Sequence, residues 1–271
     1  MKEFDFTINF PSVYMHSCPD ILSEVSDELL YGTKLKKLGE FGNYVRCETS
    51  YGYSGYVHKR YLCKNVDPSG AKEYIVSSNF ADLLTAPSYK YRPIMTLSKG
   101  SIVYSKSVFS RSEKFFCVLH KGHLCYIPRF SVSPFETNQK TTKTDLNEFR
   151  KKLCDDALMY LGTPYRWGGK SSSGIDCSGL CFMSYYMNCL PLWRDSHADT
   201  RFVHEIPKEE AKQGDLIYFK GHMAIYIGDG EYVHSAASAG LVTVNSLRKN
   251  SVIFRKDLYD SFICFARSNF L

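Results

Sequence analysis

The segment GIDCSGL, residues 174–180, carries one of the ten cysteines of the chain. A helical pattern starts at Cys177, and the N–H groups and peptide dipoles at a helix N-terminus lower the pKa of a thiol there. Gly174 and Gly179 permit close backbone approach on either side. Cys177 is therefore a candidate nucleophile whose neighbouring N–H groups can stabilise an oxyanion during acyl transfer. A small buried residue at the start of a core helix has the same pattern.

A nucleophilic thiol needs a base, and two of the eight histidines lie in the predicted hairpin GHMAIYIGDGEYVHSA. A three-residue loop at 228–230 places His234 opposite Ala224 and makes His222 its diagonal neighbour on the same face, about 7–8 Å away. The opposite face carries the expected core residues Met223, Ile225, Ile227 and Val233. The hairpin thus offers a base and an orienting histidine, although two histidines on a half-exposed strand face give the same pattern.

A zinc site is the alternative use of the same kind of side chains, namely Cys177, Cys181, His222 and His234. Structural zinc sites usually contain closely spaced Cys or His pairs in loops. Here both cysteines lie on one predicted helix, and the histidines are far apart in sequence. We therefore expect no metal site.

The first half of the chain has the pattern of β structure. Short runs of Val, Ile, Tyr and Phe are separated by Gly, Ser and Pro, which is typical of short strands. A segment that starts at Tyr31 resembles one that starts at Ser98, which indicates an internal repeat. The predicted organisation is two small β-barrels, a linker and an α+β domain, at residues 1–67, 68–135, 136–144 and 145–271.

The second half predicts helices followed by strands. Residues 136–144 contain no apolar side chain and indicate a linker. Asp145 can cap a helix that Gly162 ends. The apolar positions of this helix recur at helical spacing: Leu146, Phe149, Leu153, Ala157 and Leu161. A second helix starts near Cys177 with Leu180, Met183, Ser184 and Met187 on one face, and the chain is strand-rich from Gly214 onward.

Composition excludes several classes of function. The net charge of +6 is mild and spread over the chain, so we expect no nucleic-acid partner. The sequence contains no run of about 18 apolar residues, so we expect no membrane-spanning helix. The first ten residues, MKEFDFTINF, lack the apolar core of an export signal. The cysteines are scattered without a C-x-x-C pair, which indicates reduced thiols. We expect a monomer.

Four motifs, in this order, resemble those of the NlpC/P60 cell-wall peptidases: GTPYRWGGKSSSGIDCSGL, RDS at 194–196, GDLIYF and GHMAIYIGDGEYVHSA. The two β units are similar to the bacterial SH3 domains that precede the catalytic domain in several members. The most similar architecture is that of the γ-D-glutamyl-L-diamino-acid endopeptidases. The resemblance implies an α+β, papain-like catalytic domain after two SH3-like barrels, with no metal or organic cofactor.

The resemblance also implies roles for individual residues. It places the nucleophile on Cys177, the base on His222 and the orienting group on His234. Positions that contact substrate in the family are matched by Asp176, Ser178 and Ser196. Asp199 is a departure, because the family often has a glutamine at that position.

The first SH3-like barrel is also expected to contribute to the site. In relatives with this architecture, an acidic residue and a tyrosine of that domain hold the free amine of an N-terminal L-Ala. The matches here are Glu24 and Tyr53, with Glu28 and Tyr56 as competitors. An ordinary charged face or barrel aromatic has the same appearance.

The implied reaction is hydrolysis of the γ-D-glutamyl bond to L-lysine or diaminopimelate in peptidoglycan stem peptides or muropeptides. Two alternatives remain at this stage: a papain-like acyl or amide transferase, and a wall protein whose SH3 units are binding modules. The substrate-site matches argue against the transferase, and the intact Cys–His–His set argues against a pure binder. The sequence leaves open a cytoplasmic location or secretion without a classical signal.

Overall fold

The computed structural model describes residues 4–65, 70–105, 114–135 and 146–271. The chain forms two compact units, Met1–Glu136 and Thr137–Leu271. The predicted linker at 136–144 and the predicted cap Asp145 lie outside the described residues. In the part of the chain that is described, no helix is long and apolar enough to cross a bilayer.

Residues 6–64 form an antiparallel sheet of seven strands. Its strands are β1 Phe6–Ile8, β2 Ser12–His16, β3 Val25–Leu30, β4 Lys34–Phe41, β5 Tyr44–Thr49, β6 Ser54–His58 and β7 Leu62–Lys64. Their order in the sheet is β3-β2-β6-β5-β4-β1-β7. Alternating residues face a core of Ile8, Val13, Met15, Leu29, Leu35, Val45, Cys47 and Val57, as the two-residue period of a strand requires.

Residues 72–134 repeat this topology. The strands are β8 Lys72–Val76, β9 Phe80–Leu84, β10 Pro93–Ser98, β11 Ile102–Ser105, β12 Phe115–His120, β13 His123–Pro128 and β14 Val132–Pro134. Their order is β10-β9-β13-β12-β11-β8-β14, which is the order of the first sheet with each strand number raised by seven. The predicted internal repeat is therefore confirmed as a repeat of strand topology, in an SH3-like region of two sheets.

Tyr31 joins the two sheets into one unit. Its ring belongs to the core of the second sheet, and its hydroxyl lies 2.9 Å from Nδ1 of His120. The N–H of Ile102 donates to the Tyr31 carbonyl at 2.8 Å. Gly32 has a φ of +83°, and a Cβ there would lie 2.3 Å from the Ile102 oxygen. Only glycine permits this close backbone approach.

The second unit has α+β architecture. Its helices are α1 Leu146–Leu158, α2 Cys177–Tyr186 and α3 Lys256–Asp260. Its strands are β15 Lys170–Ser171, β16 Gly174–Ile175, β17 Val203–Ile206, β18 Leu216–Phe219, β19 His222–Gly228, β20 Glu231–Ala236, β21 Leu241–Ser246 and β22 Phe262–Ser268. Strands β15 and β16 pair separately, and the main antiparallel sheet has the order β17-β22-β18-β19-β20-β21.

The two long helices pack on this sheet: α2 contacts α1 and strands β19 and β20, and α1 also contacts β19. Residues 177–185 of α2 are all buried, so the predicted one-sided apolar face was too narrow. Leu153 and Ala157 of α1 are buried as predicted. Leu161 lies beyond the end of α1 and is exposed, because the chain leaves the helix before Gly162 turns at a φ of +79°.

The β19–β20 hairpin has the predicted register. Ile225 pairs with Val233 and Tyr226 with Tyr232, as predicted. The predicted three-residue loop at 228–230 is wrong, because Gly228 pairs with Glu231 and a bulge at Ile227 takes up the extra residue. The histidine side packs in a second cluster, formed by Ile217, Phe219, Ala224, Tyr232, Leu247 and Phe265. His234 is completely buried, whereas His222 is half-buried, so a half-exposed environment is wrong for His234 alone.

Candidate active site

Cys177 is the first residue of α2, as the sequence predicts. Asp176 caps the helix from extended backbone, and its Oδ1 accepts a hydrogen bond from the Gly179 N–H at 2.5 Å. A Cβ on residue 179 would lie 2.2 Å from the carbonyl oxygen of Gly169. Glycine is therefore required where the first turn of α2 packs against the preceding loop.

The Cys177 thiol is buried, and this changes its acidity. Burial first, and the Asp176 carboxylate second, raise the pKa of the thiol to about 11. The N–H groups of Met223 and Ser178 and the Arg194 guanidinium lower that pKa and only partly offset the rise. The predicted lowering of the Cys177 pKa by the helix start is therefore wrong, because desolvation of the thiolate outweighs the dipole. The resting thiol is protonated at neutral pH.

His222 and His234 form a directly bonded pair. Nε2 of His222 lies 2.8 Å from Nδ1 of His234, which confirms the predicted placement of both rings on one face of the hairpin. Nε2 of His234 lies 2.8 Å from Oδ1 of Asn245 on the next strand, β21. The Asn245 Nδ2 donates to the carbonyl of Ile253 at 3.0 Å. Three neighbouring strands thus supply a continuous chain of polar groups.

Burial also sets the charge of the histidine pair. It lowers the pKa of His222 to about 3, with His234 and Arg255 as further causes. It lowers the pKa of His234 to about 4, although the bond to Asn245 opposes this. Both rings are neutral at pH 7, so His222 is able to accept a proton. The bond from the Met223 N–H to the Cys177 sulfur places the thiol beside the residue that follows His222.

Two residues that the resemblance assigns to substrate contact, Asp176 and Ser178, form a buried network with Arg194. The Arg194 Nη1 donates to the Ser178 hydroxyl at 2.8 Å and to Oδ1 of Asp176 at 3.1 Å. Oδ2 of Asp176 accepts from the Gly168 N–H at 2.8 Å. In the structure these side chains hold the start of α2, and a substrate role for them stays a prediction.

Ser196 and Asp199 lie on the loop after α2. Ser196 is half-buried, two residues beyond Arg194. Asp199, the departure from the family pattern, is bonded to Arg201 through both carboxylate oxygens, with Nη2 at 2.6 Å from Oδ2. This arginine holds the pKa of Asp199 below its ordinary value. The Asp199 carboxylate is therefore ionised and already paired.

The acid of the GDLIYF motif is structural. Asp215 is fully buried and pairs with Arg150 at 2.8 Å. Arg267 of β22 binds the same carboxylate at 2.8 Å. The motif thus ties α1 and β22 to the start of β18.

The four residues predicted in the first SH3-like barrel have different environments. Glu24 is exposed just before β3, whereas Glu28 is buried within β3. Tyr53 packs against the core of the first sheet. Tyr56 is half-buried, with its ring 5.2 Å from that of Phe41 in a T-shaped contact. Their predicted role in amine recognition stays a prediction.

Sequence reasoning missed several of the polar partners. Asn245 follows the alternation of LVTVNSL, which places it on the histidine face once β21 is paired with β20. Arg194 belongs to the RDS motif, but nothing in the neighbouring sequence indicates that it forms a buried ion pair with Asp176. In the first barrel, the hydroxyl of Tyr51 donates to Asp27, an acid–tyrosine contact that sequence reasoning did not single out. Within the described ranges, no three His, Cys, Asp or Glu side chains come together as a set of metal ligands.

Comparison with known proteins gives two family matches. Residues 162–257 match the NlpC/P60 family, and residues 11–62 match the bacterial SH3 domain. The chain is 34% identical over 260 residues to dipeptidyl-peptidase 6 of Lysinibacillus sphaericus, which covers 90% of this chain and 92% of that protein. It is 26% identical to a γ-D-glutamyl-L-lysine dipeptidyl-peptidase of Bacillus cereus, over 79% of this chain and 68% of the relative.

A solved structure shows the same fold over nearly the whole chain. The crystal structure of an NlpC/P60 family protein from Bacillus cereus superposes with a TM-score of 0.81 at 22% identity. It covers 97% of this chain and 98% of the other. With the relative in Lysinibacillus sphaericus similar over almost its full length, the chain belongs to the NlpC/P60 family and is a cysteine peptidase with an SH3-like N-terminal region.

Proposed function

We propose that this peptidase hydrolyses the γ-D-glutamyl bond to an L-diamino acid in bacterial cell-wall peptides with a free N-terminal L-Ala. The observation that carries the proposal is a thiol at a helix start beside a bonded, neutral histidine pair. The names of two relatives, a dipeptidyl-peptidase and a γ-D-glutamyl-L-lysine dipeptidyl-peptidase, support the choice of bond. We also propose that the second sheet is a second copy of the SH3 domain, since its strand order repeats that of the first.

Acylation uses Cys177 and His222. The sulfur attacks the γ-carbonyl carbon of D-glutamate, and the thiol proton moves to Nδ1 of His222, the nitrogen that is not bonded to His234. The carbonyl π electrons move to oxygen, where the N–H groups at the start of α2 stabilise the oxyanion. When the C–N bond breaks, His222 returns its proton to the leaving amine of the diamino acid.

Deacylation reverses these roles with water. His222 removes a proton from a water molecule, and the resulting oxygen nucleophile attacks the thioester carbon. The C–S bond breaks, the sulfur regains a proton from the imidazolium, and L-Ala-D-Glu is released. A neutral His222 suits both steps because it can accept a proton and then donate it.

Mass spectrometry of digests tests the proposal. L-Ala-γ-D-Glu-L-Lys and its diaminopimelate analogue should each give L-Ala-D-Glu and the free diamino acid. Cys177→Ala and His222→Ala should abolish release, while Cys18→Ala, which removes an exposed thiol, should leave it unchanged. His234→Ala should reduce turnover, and His234→Asn should restore part of it, since an amide can still hold the His222 ring.

Two outcomes would contradict the proposal. Release of the diamino acid by Cys177→Ala would exclude this thiol as the nucleophile. Transfer of the L-Ala-D-Glu acyl group mainly to an added amine, instead of to water, would identify a transferase. Digests of intact sacculi run beside the free peptides separate a wall hydrolase from an enzyme for released fragments.

A further inference from the structure

We propose that Asn245 is a positioning residue that sets the tautomers of both histidines and leaves Nδ1 of His222 as the proton acceptor. The consequence of this positioning for catalysis rests on the proposed function, whereas the assignment of the tautomers rests on geometry. Asn245 lies on β21, two residues beyond Thr243, the residue that pairs with His234 across the strands. It therefore shares a face of the sheet with the histidine pair.

The orientation of the Asn245 amide follows from its two partners. One end lies 3.0 Å from the carbonyl oxygen of Ile253, which can only accept a hydrogen bond. That end is therefore the NH2 group, and the other end, 2.8 Å from Nε2 of His234, is the amide oxygen. The Ile253 carbonyl also accepts from the Ser246 N–H at 3.1 Å, so it is fixed by the backbone.

The tautomers follow from this orientation. An amide oxygen only accepts, so Nε2 of His234 carries a proton. In a neutral imidazole the other nitrogen then holds a lone pair, and Nδ1 of His234 accepts from Nε2 of His222 at 2.8 Å. His222 is neutral as well, and its proton is on Nε2, so its basic lone pair is on Nδ1.

Burial makes this assignment decisive. His234 is completely buried, and the Tyr232 ring centre lies 5.1 Å from its own. A buried ring nitrogen that loses a hydrogen-bond partner retains its full desolvation cost. Without the Asn245 oxygen, the protonated Nε2 of His234 is destabilised, and the tautomer with its proton on Nδ1 competes. That tautomer meets the His222 Nε2–H donor to donor, so the pair persists only if the proton of His222 moves to Nδ1, which removes its basic lone pair.

The charged side chains nearest the histidine pair are already paired with each other. Arg255 and Asp257 act on both histidines, and they are paired with each other through two bonds. The Cys177 thiol is protonated. Asn245→Asp keeps an oxygen facing His234, while its second oxygen faces the Ile253 carbonyl, which only accepts a hydrogen bond. The carboxyl group therefore carries its proton on that second oxygen, and Nε2 of His234 still meets an acceptor.

The experiment uses full-length protein with ¹⁵N-labelled histidine. Long-range ¹H–¹⁵N correlations at pH 7.5, assigned with His222→Gln and His234→Gln, should show protons on Nε2 of both residues in the wild type. Asn245→Leu should give mixed tautomers and reduce kcat by about 10- to 100-fold, the range found when a metal-bound histidine loses the partner that orients it. Asn245→Asp should retain the Nε2 protons, because an oxygen still faces His234.

Thr243→Val is the matched control, because it changes the neighbouring position on the same strand face and should move neither readout. A proton on Nδ1 of His234 in the wild type would overturn the proposal. Loss of the Nε2 proton of His234 in folded Asn245→Asp would also overturn it, and this variant decides the matter if Asn245→Leu does not fold. The spectra need no peptide, so the proposal is tested even if γ-D-glutamyl peptides are not cleaved.

Discussion

Arg194 binds the carboxylate of Asp176 with both terminal nitrogens, Nη1 to Oδ1 at 3.1 Å and Nη2 to Oδ2 at 3.2 Å. Both side chains are buried, and the same carboxylate caps α2. The loop after α2 is therefore fastened to the point where Cys177 begins the helix. Because a planar guanidinium matches a carboxylate in this two-bond geometry, lysine is not an equivalent replacement.

Arg194→Met should therefore destabilise the second unit strongly. It leaves a buried carboxylate without its partner, a change that typically costs about 3–5 kcal/mol. The free energy of unfolding can be measured in urea by tryptophan fluorescence, because both tryptophans, Trp167 and Trp193, lie in the second unit.

Arg248→Met provides the control for this prediction. Arg248 forms an exposed ion pair with Glu231 at 3.4 Å, and such pairs contribute about 0–1 kcal/mol. Equal urea midpoints for the two variants would show that the buried pair does not hold the helix start.

The sequence predicted the features that depend on local pattern. The pairing of Ile225 with Val233 follows from the alternation on each side of the turn, although a bulge at Ile227, and not a three-residue loop, produces it. The helix start follows from the residues around Cys177, where Gly179 leaves no space for a side chain. These features were available because their causes lie within a few residues.

The features that sequence reasoning missed depend on packing between distant segments. Burial raises the pKa of Cys177, and one of the groups that oppose this rise, the Met223 N–H, belongs to a strand that the chain reaches more than 40 residues later. Asn245 meets His234 only once β20 and β21 are paired. Leu161 was assigned to the core because helical spacing alone does not show where the helix ends.

The raised pKa of Cys177 leads to a prediction about its reactivity. With His222 present, the thiol can pass its proton to a neighbouring base as it is alkylated. In His222→Gln that route is lost, so the rate of alkylation by iodoacetamide at pH 7 should fall. In this variant the alkylation rate of Cys177 should keep rising between pH 7 and 10 without a plateau, since the thiol pKa is about 11. Peptide mapping by mass spectrometry measures the rate for each cysteine.

Cys18 is the internal control in the same sample, because its thiol is exposed and lies in the first unit. Its alkylation rate should be the same in both proteins. A plateau near pH 7 for Cys177 in His222→Gln would mean that the helix start alone lowers its pKa.

The buried histidines predict a loss of stability in acid. The pKa values of His222 and His234 are about 3 and about 4 in the folded protein, below the ordinary histidine value of about 6.5. Between these values the unfolded chain binds more protons, so stability rises with pH and is lost as the pH falls. The urea midpoint of the second unit, followed by tryptophan fluorescence, should decrease from pH 7 to pH 4.

The double variant His222→Gln, His234→Gln isolates this effect from the titration of carboxylates. It should be less stable than the wild type at pH 7, where it loses buried hydrogen bonds, but its stability should depend less on pH. Parallel curves for the two proteins would show that the histidine pair does not titrate in this range.

Recognition of a free amine is the last prediction, and it concerns the first SH3-like barrel. A carboxylate that pairs with the ammonium of L-Ala contributes about 1.5–3 kcal/mol. The kcat/KM of a free peptide should therefore exceed that of its N-acetylated form by roughly 10- to 150-fold. Glu24→Gln should reduce this ratio without slowing cleavage of the blocked peptide, and Glu28→Gln tests the competing assignment.

Glu40→Gln is the matched control, because Glu40 is an exposed acid of the same barrel that is already paired with Lys59 at 2.9 Å. It should leave the preference for the free amine unchanged. If the free and acetylated peptides are cleaved equally well by the wild type, no carboxylate recognises the ammonium. Intact wall, in which this alanine is acylated, would then be as good a substrate as released peptides, and the SH3-like region would be better explained as a wall-binding module.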